Sequence, residues 1–309
     1  MRGTLARHLE PFIKQVNIAI ADAKEQGIIP TPELARERLN GLAGFVTDVP
    51  EISFTEQRAI ESPDGVIKTR VYSPNTDVAL PVMIFFHGGG HMCGSADLYD
   101  PMCRKMALAS DAVVINVDYR LAPEHRYPAA IVDAEYVVRH YRDLLKGIPH
   151  NDTLIIAGDS AGGAMCSTLA MHQTADPSLG IDKQILIYPS VDYTMTQPSL
   201  DENGTGFFLE KPRIEWYFEH YFSGNDDPKK ASPLYGPVNE HTPATLVLLA
   251  SCDPLRDEGL AYGEKLAAAD VSVTTHVFDG MIHAFMNIED LVPEECAQLY
   301  HFMGEFIND

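Results

Sequence analysis

Residues 154 to 163 read Leu154-Ile155-Ile156-Ala157-Gly158-Asp159-Ser160-Ala161-Gly162-Gly163, and no other stretch narrows the possible folds as sharply. An apolar run of strand formers leads straight into Gly-x-Ser-x-Gly. The segment behind it, Ala164 to His172, has helical character. Strand, tight turn with a serine at its apex, then helix is the setting in which this pattern presents a nucleophilic hydroxyl. The glycines have a steric cause. A serine held on a strained turn drives its neighbours into the adjoining strand and helix, so positions two before and two after must be small. The helix that starts just after Ser160 also points free backbone N–H groups and a partial positive charge at the serine. The same letters can spell an ordinary small-residue turn, so the rest of the chain decides their weight.

The rest of the chain alternates apolar strands with helices. Leu5, Leu9, Phe12, Ile13 and Val16 follow helical spacing. Thr31-Pro32-Glu33 starts a second helix, with an N-cap threonine and a proline in the first turn, and Gly41 and Gly44 end it. Ile52 to Ala59 and Val66 to Tyr72 read as strands divided by the turn Ser62-Pro63-Asp64-Gly65. Further strands are expected at Val82 to Phe86, Ala112 to Val117, Leu154 to Ala157, Gln184 to Tyr188, Thr245 to Ala250 and Val271 to Phe278. Helices are expected at about Pro128 to Leu145, Leu255 to Ala269 and Pro293 to Ile307. This alternation predicts an α/β class with a mostly parallel central sheet flanked by helices on both faces.

One interruption stands out. Between Tyr188 and Thr245 the chain is rich in Asp, Gly, Pro and aromatic residues and is too long for a simple connection. The reading is a core formed by residues 46–195 and 236–309, with residues 1–45 and 196–235 as a helical cap over the active edge of the sheet. Phe207, Phe208, Trp216, Tyr217 and Phe218 are then candidate lids and walls.

A net charge of −21 argues against nucleic acid or an anionic membrane as a partner, since both call for basic surface. No apolar run approaches the roughly 20 residues that cross a bilayer, and the N-terminal residues lack the apolar centre of a signal peptide. The cysteines Cys93, Cys103, Cys166, Cys252 and Cys296 are scattered, without a Cys-x-x-Cys pair. That pattern suits reduced thiols in a cytoplasmic protein and speaks against a zinc site.

A serine hydroxyl needs a base within hydrogen-bond reach, and the base needs a carboxylate to fix its tautomer and support its cation. In this kind of sheet both partners follow later in the chain, acid before histidine, each on a loop after a strand. Asp253 follows the strand Thr245 to Ala250, and His283 follows the strand Val271 to Phe278. Asp192, Asp257 and Glu258 are rivals for the acid. Asp253 is preferred because it comes first on its loop and Pro254 stiffens it. His276 is the rival base, but it lies inside a strand run. The oxyanion of acyl transfer needs N–H donors aimed in advance. His87-Gly88-Gly89-Gly90 at a strand end offers backbone free of side chains, and Ala161 follows the serine. Gly88, Gly89, Gly90 and Ala161 are the candidate donors.

Taken together, His87-Gly88-Gly89-Gly90, Asp118-Tyr119-Arg120-Leu121-Ala122-Pro123-Glu124, Gly158-Asp159-Ser160-Ala161-Gly162-Gly163, Asp253-Pro254-Leu255-Arg256-Asp257-Glu258-Gly259 and His283-Ala284-Phe285 resemble the bacterial hormone-sensitive lipase-like (family IV) esterases of the α/β-hydrolase superfamily. The likeness runs from about residue 80 to the C-terminus. It implies an α/β-hydrolase fold and a serine carboxylesterase with Ser160, Asp253 and His283 as its triad. It also implies Gly89, Gly90 and Ala161 as oxyanion donors and Asp118 to Glu124 as a brace beside the site. The substrate would be a small ester, with no cofactor. A homodimer would be built through the last strand, at the sheet edge. An amidase or peptidase on the same triad, and a non-catalytic small-molecule receptor, are the alternatives. One departure is His91, where the resembling family usually has a bulky aromatic; it bears on the acyl pocket. Since each buried methylene gains about 0.8 kcal/mol only while there is room, a covered pocket predicts a preference for short acyl chains, roughly two to eight carbons.

Overall fold

The apolar runs of the chain do become neighbouring strands, and their order in space explains why they are apolar throughout. The computed structural model describes residues 1–309. The strands are β1 (Phe54–Ser62), β2 (Gly65–Ser73), β3 (Leu80–Phe86), β4 (Val113–Asp118), β5 (His150–Asp159), β6 (Lys183–Ile187), β7 (Ala244–Cys252) and β8 (Val273–Ile282). They form one sheet in the order β1-β2-β4-β3-β5-β6-β7-β8. β1 and β2 are an antiparallel hairpin, β2 joins β4 antiparallel, and the remaining pairings are parallel. β8 lies at the edge expected of the last strand.

The helices are α1 (Glu10–Glu25), α2 (Pro32–Asn40), α3 (Asp100–Ser110), α4 (Ala129–Leu144), α5 (Ala161–Gln173), α6 (Ser199–Glu202), α7 (Lys211–Tyr221), α8 (Pro228–Ala231), α9 (Arg256–Ala267) and α10 (Pro293–Asn308). α2 begins as the sequence predicts: Thr31 Oγ1 accepts the Leu34 N–H at 3.2 Å. It ends in a short 3-10 turn over Gly41–Phe45.

Alternate residues of β3 divide between two cores. Met83 and Phe85 face α3 and α10, where they meet Met102, Met106, Leu299 and Met303. Val82, Ile84 and Phe86 face α4, α5 and α9, where they meet Val137, Tyr141, Leu169 and Leu266. A strand buried on both faces has no polar side to show, so its sequence carries no alternation. No helix is long and apolar enough to cross a membrane.

α3 was not anticipated from the sequence. Its burial pattern, Met102, Cys103, Met106, Ala107 and Ser110, is helical, but only three of these are strongly apolar and the segment is short. β8 also runs past its expected end at Phe278 to Ile282, across a register shift opposite β7 between Ala250 and Cys252. That extension carries the chain directly to His283.

The N-terminal segment is tied down by polar contacts. The amino group of Met1 pairs with Glu202, Arg2 donates to the carbonyls of Glu202 (2.8 Å) and Thr205 (2.7 Å), and Asn17 Nδ2 donates to the Gly206 carbonyl at 3.3 Å. Arg36 on α2 donates to the carbonyls of Met92 (2.9 Å) and Ala122 (3.0 Å) and grips Glu124 with both Nη1 (2.8 Å) and Nη2 (2.6 Å). This fork holds α2 against the loop after β3. Arg36→Ala leaves two carbonyls without their donor and should lower stability by about 1–2 kcal/mol. Lysine, with a point charge in place of a fork, should restore only part of it. Urea denaturation of the two variants measures both effects.

Candidate active site

Ser160 sits between β5 and α5 at φ 52°, ψ −115°, a conformation that L-residues avoid. The strain is held by neighbours: Ser160 N–H donates to the Ile187 carbonyl at 2.8 Å, and its own carbonyl accepts from Ala164 (3.0 Å) and Ser190 (3.2 Å). The flanking glycines are there because nothing larger fits. A Cβ on Gly162 would run into the Phe86 carbonyl, and one on Gly158 would run into Gly162.

The β7–α9 and β8–α10 connections bring the two partners. Asp253 follows the end of β7 and is fully buried. Its Oδ1 accepts the Leu255 N–H at 2.8 Å, and its Oδ2 accepts from His283 Nδ1 at 2.7 Å. With the ring proton directed at Asp253, Nε2 is free to accept, and Ser160 Oγ donates to it at 2.9 Å. Tyr188 packs on the imidazole with ring centroids 4.8 Å apart.

The rivals lie elsewhere. Asp192 accepts from Thr194 Oγ1 (2.5 Å) and Thr196 Oγ1 (2.7 Å). Asp257 is paired with Arg256 at 2.7 Å. Glu258 Oε1 accepts the N–H groups of Val191 (2.7 Å) and Asp192 (3.2 Å). His276 packs between Phe278 and Phe302. One supporting residue escaped the sequence reading: Asn203 Nδ2 donates to the carbonyls of Asp253 (3.0 Å) and Ser251 (3.2 Å) and so fixes the loop that carries the carboxylate. Nothing in the sequence near Asn203 marked it, because the contact spans some fifty positions.

The glycine loop departs from expectation at one residue. Gly88 cannot serve as an oxyanion donor, because its N–H is already given to Asp159 Oδ1 at 2.6 Å. Its lack of a side chain has another use: a Cβ there would strike the Asp159 carboxylate. Gly89 and Gly90 have φ of +118° and +62°, and with Ser160, Ala161 and His283 they line one cavity. Ala161 occupies the first position of α5, ahead of the helix's own hydrogen-bond ladder.

His87 holds the loop in shape. Its Nδ1 donates to the Gly88 carbonyl at 2.9 Å, and its ring lies between those of Tyr99 and Tyr119. Tyr119 OH donates to the His87 carbonyl at 2.6 Å, so the Asp118 to Glu124 stretch braces this loop from below.

Asp159 is the second buried acid of the site. Besides Gly88 it accepts from Tyr99 OH at 3.0 Å. Burial pushes its pKa up to about 7, against the pull of those two hydrogen bonds and of His283.

The cavity above Ser160 has a volume of about 480 Å³. α1, α2 and α7 wall it with Val16, Ile20, Leu34, Leu39, Trp216 and Tyr217, among others. Phe208 and Phe218 also line it, but Phe207 does not. Phe207 packs into the core beneath the Arg2 guanidinium, which lies 4.2 Å from its ring centre. His91 is buried, stacked face to face on Tyr221 at 3.8 Å, and its Nε2 meets Tyr193 OH at 3.0 Å. Burial lowers its pKa to about 3, so it is neutral at physiological pH. No group of three or more His, Cys, Asp or Glu side chains is gathered as metal ligands. The cysteines are buried free thiols.

The comparisons with known proteins agree in kind. The α/β-hydrolase fold family matches residues 83–287. Esterase LipI of Mycobacterium tuberculosis is 36% identical over 272 residues, covering 84% of this chain and 83% of its own. An ethyl acetate hydrolase of Pseudomonas putida is 34% identical over 239 residues, covering 75% of each. Among solved structures, an ester hydrolase from the Lake Arreo metagenome superposes with a TM-score of 0.89 at 30% identity, covering 98% of both chains.

The position of Asp159 has a consequence for stability. A carboxyl whose pKa is raised on folding binds a proton that the unfolded chain has already lost. Its contribution is therefore complete below the unfolded value near ~4 and disappears as pH rises through about 7. The urea midpoint should accordingly fall between pH 5 and pH 8 in the parent protein. Asp159→Asn, which cannot ionise, should show a shallower fall over the same interval.

Proposed function

This chain belongs to the α/β-hydrolase fold family, in its bacterial hormone-sensitive lipase-like esterase branch, and is a carboxylic ester hydrolase; from that premise we propose that Ser160, His283 and Asp253 are its catalytic triad and that short-chain acyl esters are its substrates. The observation that carries the reading is the unbroken hydrogen-bond chain from Ser160 Oγ through His283 to Asp253, at 2.9 and 2.7 Å.

In this reading His283 Nε2 takes the Ser160 proton as Oγ attacks the ester carbonyl. Asp253 holds the proton on Nδ1 and supports the imidazolium that forms. The N–H groups of Gly89, Gly90 and Ala161 receive the oxyanion. Collapse of the tetrahedral intermediate releases the alcohol, protonated from Nε2. Water, deprotonated by the same nitrogen, then attacks the acyl-enzyme, and Ser160 recovers its proton as the acid departs. Asp159 serves the oxyanion loop indirectly, since its hold on Gly88 sets the direction of the next two N–H groups.

Residues 1–45 and 196–235 act as the cap in this proposal. What supports it is that α1, α2 and α7 supply most of the apolar wall of the cavity. A bounded cavity favours small esters. His91, fixed by Tyr221 and Tyr193, keeps one wall polar and immobile, which moves the preference to the shorter end.

Ser160→Ala should reduce kcat by about 1000-fold or more, since triad members act as a unit. Asp253→Asn should lower kcat heavily with little change in KM. Asp192→Asn doing so in its place would overturn the choice of acid. Near-parental turnover by Ser160→Ala would end the triad assignment.

Acyl length provides a separate test. Across p-nitrophenyl esters kcat/KM should rise with each methylene, peak within roughly two to eight carbons, and then fall. A profile that climbs steadily to palmitate would show that the cavity does not bound the acyl chain.

A further inference from the structure

Nearly every arginine of this chain donates to a carboxylate or a carbonyl, as Arg2, Arg36, Arg58, Arg70, Arg104, Arg120, Arg126, Arg139, Arg142 and Arg256 do. That is the expected state of a chain with 44 acidic residues against 23 lysines and arginines. The exceptions are Arg7, Arg38 and Arg213. Arg38 on α2 and Arg213 in the first turn of α7 both line the cavity that contains Ser160 and His283. Arg213 has only the face of Trp216, with its guanidinium carbon 5.0 Å from the ring centre.

Tyr217 connects the two to the reacting end of the cavity. The base of its ring packs on Gly90. Burial raises the pKa of its hydroxyl, and the charges of Arg213 and Arg38 both reach that hydroxyl and oppose the rise. Tyr217 thus lies between the glycine loop, which the base of its ring touches, and a hydroxyl end that feels both guanidinium charges. The carboxylates in the lining are already engaged. Glu210 accepts from Gly206 N–H at 3.3 Å and lies 3.7 Å from Lys24. Asp159 is held by Gly88 and Tyr99. Two guanidinium groups without a counter-ion, Arg38 exposed and Arg213 half-buried, leave one side of the cavity positive in an otherwise acidic protein.

We propose that Arg38 and Arg213 bind a free carboxylate of the substrate, so that the preferred esters are half-esters of short dicarboxylic acids. The inference rests on the ester-hydrolase reading of Ser160 and names the substrate class of that same site. A forked, charge-assisted contact to a carboxylate is the interaction that guanidinium groups make best. The apolar wall between the arginines and Ser160 takes the methylene spacer, and the ester carbonyl reaches the glycine loop. Chemistry stays that of simple hydrolysis: the acyl C–O bond breaks, water supplies the new C–O bond, and the second carboxylate is a spectator.

The test is a ratio. kcat/KM is measured for mono-p-nitrophenyl succinate and glutarate and for the neutral p-nitrophenyl butyrate and pentanoate, in the parent and in Arg38→Gln/Arg213→Gln. The ratio of anionic to neutral ester should fall about tenfold in the double variant. In the parent it should decline as salt is raised, and Arg213→Lys should keep part of it. A double-variant ratio within about twofold of the parent, the range of an exposed ion pair without function, overturns the proposal.

Calorimetry reads the anion site without turnover. Monomethyl glutarate should bind Ser160→Ala, and about tenfold more weakly once both arginines are replaced; equal binding overturns the proposal. Failure of the parent to hydrolyse even the neutral esters would strike the nucleophile assignment and leave the anion site to be judged by this binding measurement.

Discussion

The approach of the β5–α5 turn to the end of β3 is the constraint on which the rest of the site depends. Gly162 lies so close to the Phe86 carbonyl that no side chain fits between them. That contact sets the angle at which α5 leaves the sheet, and with it the direction of Ser160 Oγ and of the first N–H groups of the helix. Phe86 also pairs in register with Gly158 on one side and Val117 on the other. The strand that fixes the serine therefore continues at once into the glycine loop, and the proposed nucleophile and the candidate oxyanion donors share one origin. An error of position at either would be an error at both, which is the preorganisation that acyl transfer requires.

Polar groups buried beneath the loop complete this arrangement. Asp159 joins the turn to the loop through Gly88, Tyr99 holds Asp159, and His87 and Tyr119 hold the Gly88 carbonyl and the His87 carbonyl in turn. Such a network lets backbone lie in the interior without orphaned donors, and it resists deformation because each member has few alternative partners. Burying a carboxylate is costly, and the raised pKa of Asp159 is the sign of that cost. Its companion Asp253, two strands away in the sheet order, is stabilised by Leu255 N–H and His283. Two acids flank the same serine. One faces the base and the other faces the backbone, and their surroundings separate their duties.

The sequence was most informative where structure is local or where topology dictates order. Strand, turn and helix around Ser160 are contiguous, so their small residues could be read directly. Asp253 and His283 were legible because a parallel sheet places the chain after each strand on the same edge, which turns sequence order into spatial proximity. Contacts between distant segments were not legible. Gly88 reads as a donor in isolation, and only its meeting with Asp159 removes its N–H from use. Asn203, which carries the Asp253 loop, and Phe207, which joins the core and leaves the cavity wall to Phe208, depend on how residues 196–235 fold over the sheet. α3 was missed because two methionines and a cysteine in eleven residues make a thin apolar stripe. The ion-pair status of an arginine is likewise invisible in one dimension: Arg36 and Arg38 are two positions apart on α2, yet one grips Glu124 and the other has no partner.

The net charge of −21 and a site for anions are compatible for reasons of range. Exposed charges act over a Debye length of about 8 Å at physiological ionic strength, so most of the acidic surface is screened from a molecule already inside the cavity. Within the cavity the dielectric is lower and the nearest charges dominate. There the carboxylates are committed to backbone N–H groups or to Lys24, whereas Arg38 and Arg213 are not. The long-range field slows the arrival of an anion, and the local field holds it once it arrives. A neutral ester feels neither effect. Discrimination between the two substrate classes is thus carried by groups on the cavity wall, away from the triad, and the wall can change without disturbing the turn, the loop or the base.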